Sequence, residues 1–400
     1  MEINLRCPKY LKDFKCIGGK CSDSCCIGWD IDIDKKSFRQ YHKTSNQDMK
    51  KMFQKYVHNN QYCTDENIDY GRIKLPKDKR CPFLDDENYC IIYKNLGEEA
   101  LSCVCTHFPR TLNIVDNVYE MSLDLACPEV SRIVLNKEEG IKFKEIDKKP
   151  GKHIVSGIID TKENKDNVMK FFKEIRKTSI DIIQNRKFTL SERLFMLGNY
   201  LSDIDELSEE SLNKVEKYIS SFNFDKSDYE REDINYILQI SFLKKIVDDL
   251  NIIEEIDNVK FKEYTKEILK NYNLNSDEDL QNNAQNYLNA YITYTEEFIN
   301  KDEYIFENYL VNSMYNNLFP FSDNEFIFDG YMMLLIMYSL IRFYLVGKYI
   351  NSKVDSKDEI INFIQNFVKA VEHDKNYRTE ILENIRGNYL NNMEFAKILI

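Results

Sequence analysis

FKCIGGKCSDSCCIGWDIDID, Phe14 to Asp34, puts four cysteines, the chain's only tryptophan and an acidic–apolar alternation into one short stretch. Thiolates are soft ligands for iron–sulfur clusters, zinc and copper(I), and in a reducing compartment a dense set of thiols without metal is mostly a reactive liability. Two further groups follow: RCPFLDDENYCIIYKNLGEEALSCVCTHFPR, Arg80 to Arg110, and LACPEV, which holds Cys127. All eleven cysteines lie at or before Cys127, so one part of the chain owns the chemistry. A secreted disulfide scaffold is more typically short, with an even cysteine count and an export signal. The start, MEINLRCPKY, has no basic segment followed by an apolar stretch, and the expected compartment is the cytoplasm.

Spacing narrows the set of ligands. Cys25 and Cys26 are adjacent, and neighbouring side chains of an extended segment point to opposite faces. One can ligate while the other packs or serves a second site. Cys103 and Cys105 share a face if extended, and Cys105 is preferred because it leads into THFPR. Zinc sites usually show paired C-x2-C or C-x4-C steps, which this chain lacks. Irregular steps suit an iron–sulfur cluster at least as well, because thiolates can reach its corners from separate loops. A cluster, zinc and a metal-free reduced thiol core all stay open at this point. Proline after Cys81 and Cys127 stiffens a ligand loop or simply forms a turn. His107, beside Cys105, is a ligand, a proton shuttle or, more simply, neither.

Working outward, residues 1–134 form a loop-rich, cysteine-rich metal-cluster domain, with short helices in DKKSFRQYHK after a capping Asp34 and in DMKKMFQKYV. The polar, lysine-rich 135–153 is a connecting segment. Residues 154–400 are a helical bundle domain, because NVMKFFKEIRKTSIDIIQN, LSERLFMLGNYLSDI, INYILQISFLKKIVDDL, NAQNYLNAYITYTEEFIN and EIINFIQNFVKAVEH repeat apolar residues at three- and four-residue steps. The fold class is therefore mainly α. YMMLLIMYSLIRFYLV, Tyr331–Val346, falls short of the roughly 20 apolar residues of a spanning helix and contains Arg342, so it reads as a buried central helix and not a membrane insertion. Net charge is −12, which disfavours a nucleic-acid partner and favours a basic one.

These residues resemble the flagellin lysine-N-methylase family of bacteria. Its first motif, Phe-x-Cys, then Cys-x-x-x-Cys-Cys-x-Gly-Trp and an acidic–apolar alternation, is matched by Phe14, Cys16, Cys21, Cys25, Cys26, Gly28, Trp29, Ile31 and Asp34. The second is matched by Cys81, Pro82, Phe83, Leu84, Cys90, Leu96, Gly97, Cys105, Phe108, Pro109 and Arg110, and SLDLACPEV matches the third. The thiol pattern also resembles small zinc- or iron-chelating domain proteins, in which Cys16 and Cys127 have no firm counterpart, and Cys103 is not a hallmark of the methylase family. The candidate metal ligands are Cys21, Cys25, Cys26, Cys81, Cys90 and Cys105, with Cys16 and Cys127 beside them.

The resemblance implies transfer of a methyl group from S-adenosylmethionine to lysine Nε of flagellin, with a cysteine-ligated centre, a 4Fe–4S cluster or alternatively zinc. The sequence shows no G-x-G-x-x-G step after a strand, so a Rossmann-type site is not visible. The metal is structural, holds the cofactor's amino and carboxylate groups, or donates an electron. Trp29 stacks on adenine or meets a cation, or else anchors the core. Arg110 clamps a carboxylate or forms a surface ion pair. Asp30, Asp32 and Asp34 share a strand face and attract a lysine-rich substrate, or Asp34 caps a helix. No catalytic residue is legible. The alternative is a non-enzymatic iron–sulfur or zinc protein that docks a partner through its helical domain.

Overall fold

The computed structural model describes residues 3–28, 30–148, 151–223, 235–256, 258–274, 280–321, 326–373 and 375–400. Two compact units share the chain. The first is Met1–Val130 with Phe143–Ile158; the second is Ser131–Lys142 with Ile159–Ile400.

The first unit holds two small sheets. One joins β1 (Ile3–Pro8), β5 (Arg110–Val115), β6 (Val118–Leu123), β7 (Phe143–Lys148) and β8 (Val155–Ile159) in the order β7-β1-β6-β5-β8. The other joins β2 (Asp32–Ile33), β3 (Val57–Asn59) and β4 (Gly71–Ile73) in the order β2-β4-β3. The β5–β6 hairpin turns at Asp116 and Asn117, both at positive φ, the conformation that a two-residue turn needs to match strand twist. Leu5, Leu112 and Met121 form its core. The segment 135–153, read above as a connection, contains β7, which runs antiparallel to β1 with Leu5 opposite Ile146 and Arg6 opposite Glu145. Arg6 Nη2 and Glu145 Oε1 meet at 2.6 Å.

Helices α1 (Lys35–Lys43), α2 (Gln47–Tyr56), α3 (Ile91–Leu96) and α4 (Cys103–His107) lie in the same unit, and α5 (Pro128–Leu135) carries the chain onward. Asp34 caps α1 and Asn46 caps α2 through their side chains. The core of this region is built from Ile31, Ile33, Tyr41, Met49, Phe53, Val57, Ile73, Phe83 and Ile92, and it includes Cys81; Cys26, Cys90 and Cys105 pack against it.

The second unit is helical among its described residues: α6 (Phe172–Ile183), α7 (Leu190–Glu210), α8 (Leu212–Ser221), α9 (Tyr236–Asp249), α10 (Ile252–Glu255), α11 (Val259–Asn271), α12 (Leu280–Tyr294), α13 (Glu303–Asn316), α14 (Ile327–Ser352), α15 (Lys357–Phe367), α16 (Lys375–Gly387) and α17 (Met393–Leu399). Among the described residues α14 alone is long and apolar enough to cross a membrane, and it is buried within this unit, packed against α7, α11 and α12. Its arginine is satisfied there. Arg342 donates to the carbonyls of Leu399 and Ile400 at 2.5 Å each and lies against the rings of Tyr291 and Tyr338. A second buried charge, Arg193, pairs with Glu307 at 2.8 Å and with Glu303.

Candidate metal centre

Local chemistry folds the three thiol segments onto one another. Gly18 takes φ +55°, and a Cβ on it would lie 2.6 Å from the Tyr89 ring; one on Gly19 would lie 2.0 Å from the Glu87 carbonyl. Only glycine lets the Cys16–Cys21 loop press this closely onto the loop before Cys90. That second loop is itself folded back: Leu84 bridges Cys90, Ile91 N–H donates to Phe83 O at 2.8 Å, and Asp85 Oδ1 accepts from the backbone of Glu87 and Tyr89. Ile27 bridges Arg80, and Cys81 N–H donates to Cys26 O at 2.9 Å. Cys26 and Cys81 are thereby paired through the backbone.

Cys103 and Cys105 sit in helix α4 and not in an extended segment, so they fall on opposite sides of it, about 200° apart at 3.6 residues per turn. Cys103 S–H donates to Asn67 O at 3.3 Å and its backbone N–H to Asp34 Oδ2 at 2.9 Å, while Cys105, like Cys26 and Cys90, packs against the hydrophobic core of this region. Cys63 S–H donates to Asp69 Oδ1 at 3.3 Å, and Cys7 is buried on β1. Cys127 immediately precedes α5, whose backbone N–H groups at Glu129 and Val130 favour its thiolate.

Eight cysteines share one electrostatic neighbourhood. Burial is the largest cause pushing up Cys21, Cys81, Cys90, Cys105 and Cys127, with Cys81 at about 11 and Cys105 and Cys127 at about 12. Cys26 is pushed up first by its hydrogen bond with Cys25, then by burial. Charge on Cys25 raises all six further, and charge on Cys16 raises Cys21 and Cys90. None of the eleven cysteines is in a disulfide, and Cys16 and Cys25 are exposed, so the neighbourhood opens to solvent on their side. As thiolates, the members would repel one another in a poorly solvated site, and a cation among them removes that cost. The donor set therefore fits a soft-metal centre. Among the described residues no three His, Cys, Asp or Glu side chains converge to hold a single ion.

The remaining site candidates are placed as follows. Arg110 lies over the Phe14 ring at 5.6 Å and donates to Thr106 O at 3.2 Å. It makes no ion pair among the described residues, burial lowers it, and charge on Glu98 and Cys16 favours its cation. His107 accepts from Ile154 N–H through Nδ1 at 3.3 Å, and burial followed by the charge of Arg110 lowers it to about 4, which keeps it neutral. Asp34 is a helix cap, and Arg72 pairs with Asp32 at 2.9 Å and lies 3.8 Å from Asp30, which stays mostly exposed. Trp29 lies outside the described residues. Sequence reasoning missed Tyr89, whose ring seats both loop glycines; its position one residue before Cys90 was the available signal.

The sequence profile of the FliB lysine N-methylase C-terminal domain matches residues 176–399, more than half of the chain. The chain belongs to the FliB lysine N-methylase family. It is 36% identical over 145 residues to the flagellar biosynthetic protein FliU of Salmonella muenchen, covering 36% of this chain and 84% of that protein. It is 34% identical over 145 residues to the lysine-N-methylase of Salmonella typhimurium, and equally to that of Salmonella choleraesuis, covering 36% of this chain and 35% of each. The match thus spans about a third of the length of these two methylases. No solved structure matches the chain. The family profile falls entirely on the helical unit, whereas the thiols all lie in the other.

Proposed function

We propose that this FliB-family chain is an S-adenosylmethionine-dependent methyltransferase that modifies lysine Nε of flagellin and carries a cysteine-ligated iron–sulfur centre. The family match over residues 176–399 carries the reaction class, and the names of its relatives point to a flagellar substrate. That eight thiols lie within one electrostatic neighbourhood supports the metal. A tetrahedral zinc would need sulfurs roughly 3.8 Å apart, given its ≈ 2.3 Å bonds. Among the described residues the thiols do not close on one ion-sized point; a cluster, whose corners can take thiolates from separate loops, is the reading we favour over zinc.

Cys21, Cys25, Cys26, Cys81, Cys90 and Cys105 would hold the centre, with Cys16 and Cys127 at its margin. When bound, it supplies a Lewis-acidic iron or an electron. Methyl transfer itself asks for little more than alignment. A neutral lysine nitrogen attacks the sulfonium methyl, the N–C bond forms as the S–C bond breaks, S-adenosylhomocysteine leaves, and the extra proton passes to base or water. Arg110, half-buried and without an ion pair among the described residues, would take the donor's carboxylate.

The test uses anaerobically purified full-length protein. Brown colour and about four irons and four sulfides per chain are expected, with methyl-sized mass increments on lysines of flagellin from the same source when S-adenosylmethionine is added. Colourless protein with stoichiometric zinc overturns the cluster. Cluster-loaded protein that adds no methyl group, with or without reductant, puts the partner-docking metalloprotein ahead.

A further inference from the structure

Adjacent side chains of an extended segment point apart, but Cys25 and Cys26 do not lie in one. Ile27 N–H donates to Ser24 O at 3.3 Å and closes a turn whose two central residues are these cysteines. Cys26 N–H donates to Ser24 Oγ at 3.3 Å, which holds the bend from within. On its other side Cys26 O accepts from Cys81 N–H at 2.9 Å, so its backbone is fixed at both groups. In this turn the two thiols are hydrogen-bonded to each other and not joined in a disulfide. Cys25 is exposed, whereas Cys26 packs against the hydrophobic core. An accessible thiol thus sits against a sheltered one. Other thiols are turned to carbonyls of their own surroundings: Cys21 S–H donates to Asp23 O and Cys103 S–H to Asn67 O, each at 3.3 Å.

A solvent-accessible thiol with a second thiol in reach is the arrangement that a peroxide converts to a disulfide. We propose that Cys25 and Cys26 are a modification site for hydroperoxides, closing to a disulfide between neighbouring residues that takes both sulfurs away from metal. The Cys25 thiolate attacks the peroxide: the S–O bond forms as the O–O bond breaks, leaving a sulfenic acid and hydroxide, which takes up a proton as water. The Cys26 sulfur then displaces the hydroxyl. The S–S bond forms, the S–O bond breaks, and the hydroxyl leaves with the Cys26 proton as a second water. Two electrons have passed from the thiols to one peroxide. Covalent geometry makes the product reversible. Neighbouring Cα atoms are about 3.8 Å apart, below the roughly 4.4–6.8 Å of ordinary disulfides, and such strain makes the bond easier to reduce. The thiolate is the metal ligand, so the oxidised chain offers no soft-metal ligand at these two positions until a dithiol reopens the pair. That consequence rests on the soft-metal reading of the site; formation of the disulfide does not.

The test takes the full chain, stripped of metal by a chelator under argon, and gives it one equivalent of hydrogen peroxide. Free thiols are then capped with iodoacetamide, and the tryptic peptide from Cys21 to Lys35, which holds three cysteines, is mapped by mass spectrometry. A single cap, on Cys21, is expected in place of the three of untreated protein, and Cys21→Ser should still form the disulfide. Should that variant fail to fold by circular dichroism, fragmentation of the wild-type peptide locates the cap and decides alone. Caps on Cys25 and Cys26 after peroxide, or a bond from either to Cys16, Cys21 or Cys81, overturn the proposal whether or not the chain binds metal. Cadmium ion, read by its thiolate absorbance, tests the consequence. The oxidised chain should bind it more than about ten-fold more weakly, since losing even a supporting partner of a ligand costs that much, with recovery after dithiothreitol is added and removed. Unchanged cadmium binding by chain that carries the disulfide overturns the effect on metal, while no cadmium binding by untreated chain sinks the metal reading and leaves the thiol pair standing.

Discussion

Replacing Asp34 with alanine tests how the thiol neighbourhood is tied together. Asp34 is 6% exposed; Oδ1 accepts from Ser37 N–H at 2.8 Å, capping α1, and Oδ2 from Cys103 N–H at 2.9 Å, at the start of the helix that carries Cys105. Loss of the cap costs about 1 kcal/mol and loss of a hydrogen bond to a charged acceptor about 1.5–3, so the substitution should cost about 2–4 kcal/mol. That is a large share of the 5–15 kcal/mol typical of a folded domain. Two units need not unfold together, so hydrogen exchange at Ser37 and Cys103 is a better readout than a single melting curve. At neutral pH both amides should exchange about 30- to 1000-fold faster in the variant, at a factor of ten per 1.36 kcal/mol. The pH dependence follows from the carboxyl. Burial pushes it up, but the Ser37 and Cys103 N–H groups, the Ser37 hydroxyl and Lys152 outweigh that and hold it below the ordinary range. A lowered native value means that the stabilisation is fully present above the unfolded value near ~3.9 and fades as pH falls through the native one. Exchange rates within three-fold of wild type at neutral pH, or a difference that persists unchanged in acid, would refute the reasoning.

Three further outcomes are expected. Cys25→Ser, which removes the thiol that acts on six others, should lower iron per chain by more than half, whereas Cys103→Ser, turned toward Asn67, should keep it; iron and sulfide analysis of the two side by side decides. Gly19→Ala forces a Cβ to within 2.0 Å of a backbone carbonyl and should destabilise the first unit by about 1–3 kcal/mol, with a matching loss of iron after reconstitution; retention of both would show that the loops yield. Arg193→Met leaves Glu307 buried beside Arg186 alone and should cost about 3–5 kcal/mol, measured as a lower urea midpoint for the helical unit with iron content unchanged.

Helices α1, α7 and α9 were legible because the apolar stripe lies where a 3.6-residue period puts it, and Asp34 caps α1 as the sequence suggests; the Thr189 capping box of α7 came only with the structure. The run from Tyr331 to Val346 was readable as a core helix because it holds an arginine, and Arg342 does find buried carbonyls; its length did not decide the matter, since the helix that contains it, Ile327–Ser352, is long and apolar enough to cross a membrane and is buried all the same. The five-stranded sheet was not legible. Strand β7 reads Phe-Lys-Glu-Ile-Asp-Lys, with apolar residues three apart instead of two, and its strand character comes from pairing with β1 more than a hundred residues away. Nor could periodicity reveal the π-helical turns at Thr295–Ile299 and Val368–Glu372, since each extra residue shifts the register that the 3.6 period assumes.

The thiols show the same division between local and distant causes. Sequence spacing favoured Cys105 over Cys103 through its link to THFPR, on the premise of an extended segment, yet the segment is helical and the separation comes from a helix turn. What brings Cys105 to Cys26 and Cys90 is the shared core of Phe53, Phe83 and Ile92, which no spacing between cysteines encodes. The Cys16–Cys21 loop and the loop before Cys90, by contrast, meet through two glycines against one tyrosine ring, a contact of a few atoms. The hydrophobic side of the neighbourhood should therefore persist without metal while the Gly18–Gly19 side is the part that metal must order. Hydrogen exchange on metal-free protein should accordingly leave Phe53 and Ile92 protected and expose Cys21 and Tyr89; uniform exchange across both would mean that the thiol region folds only as one piece around its metal.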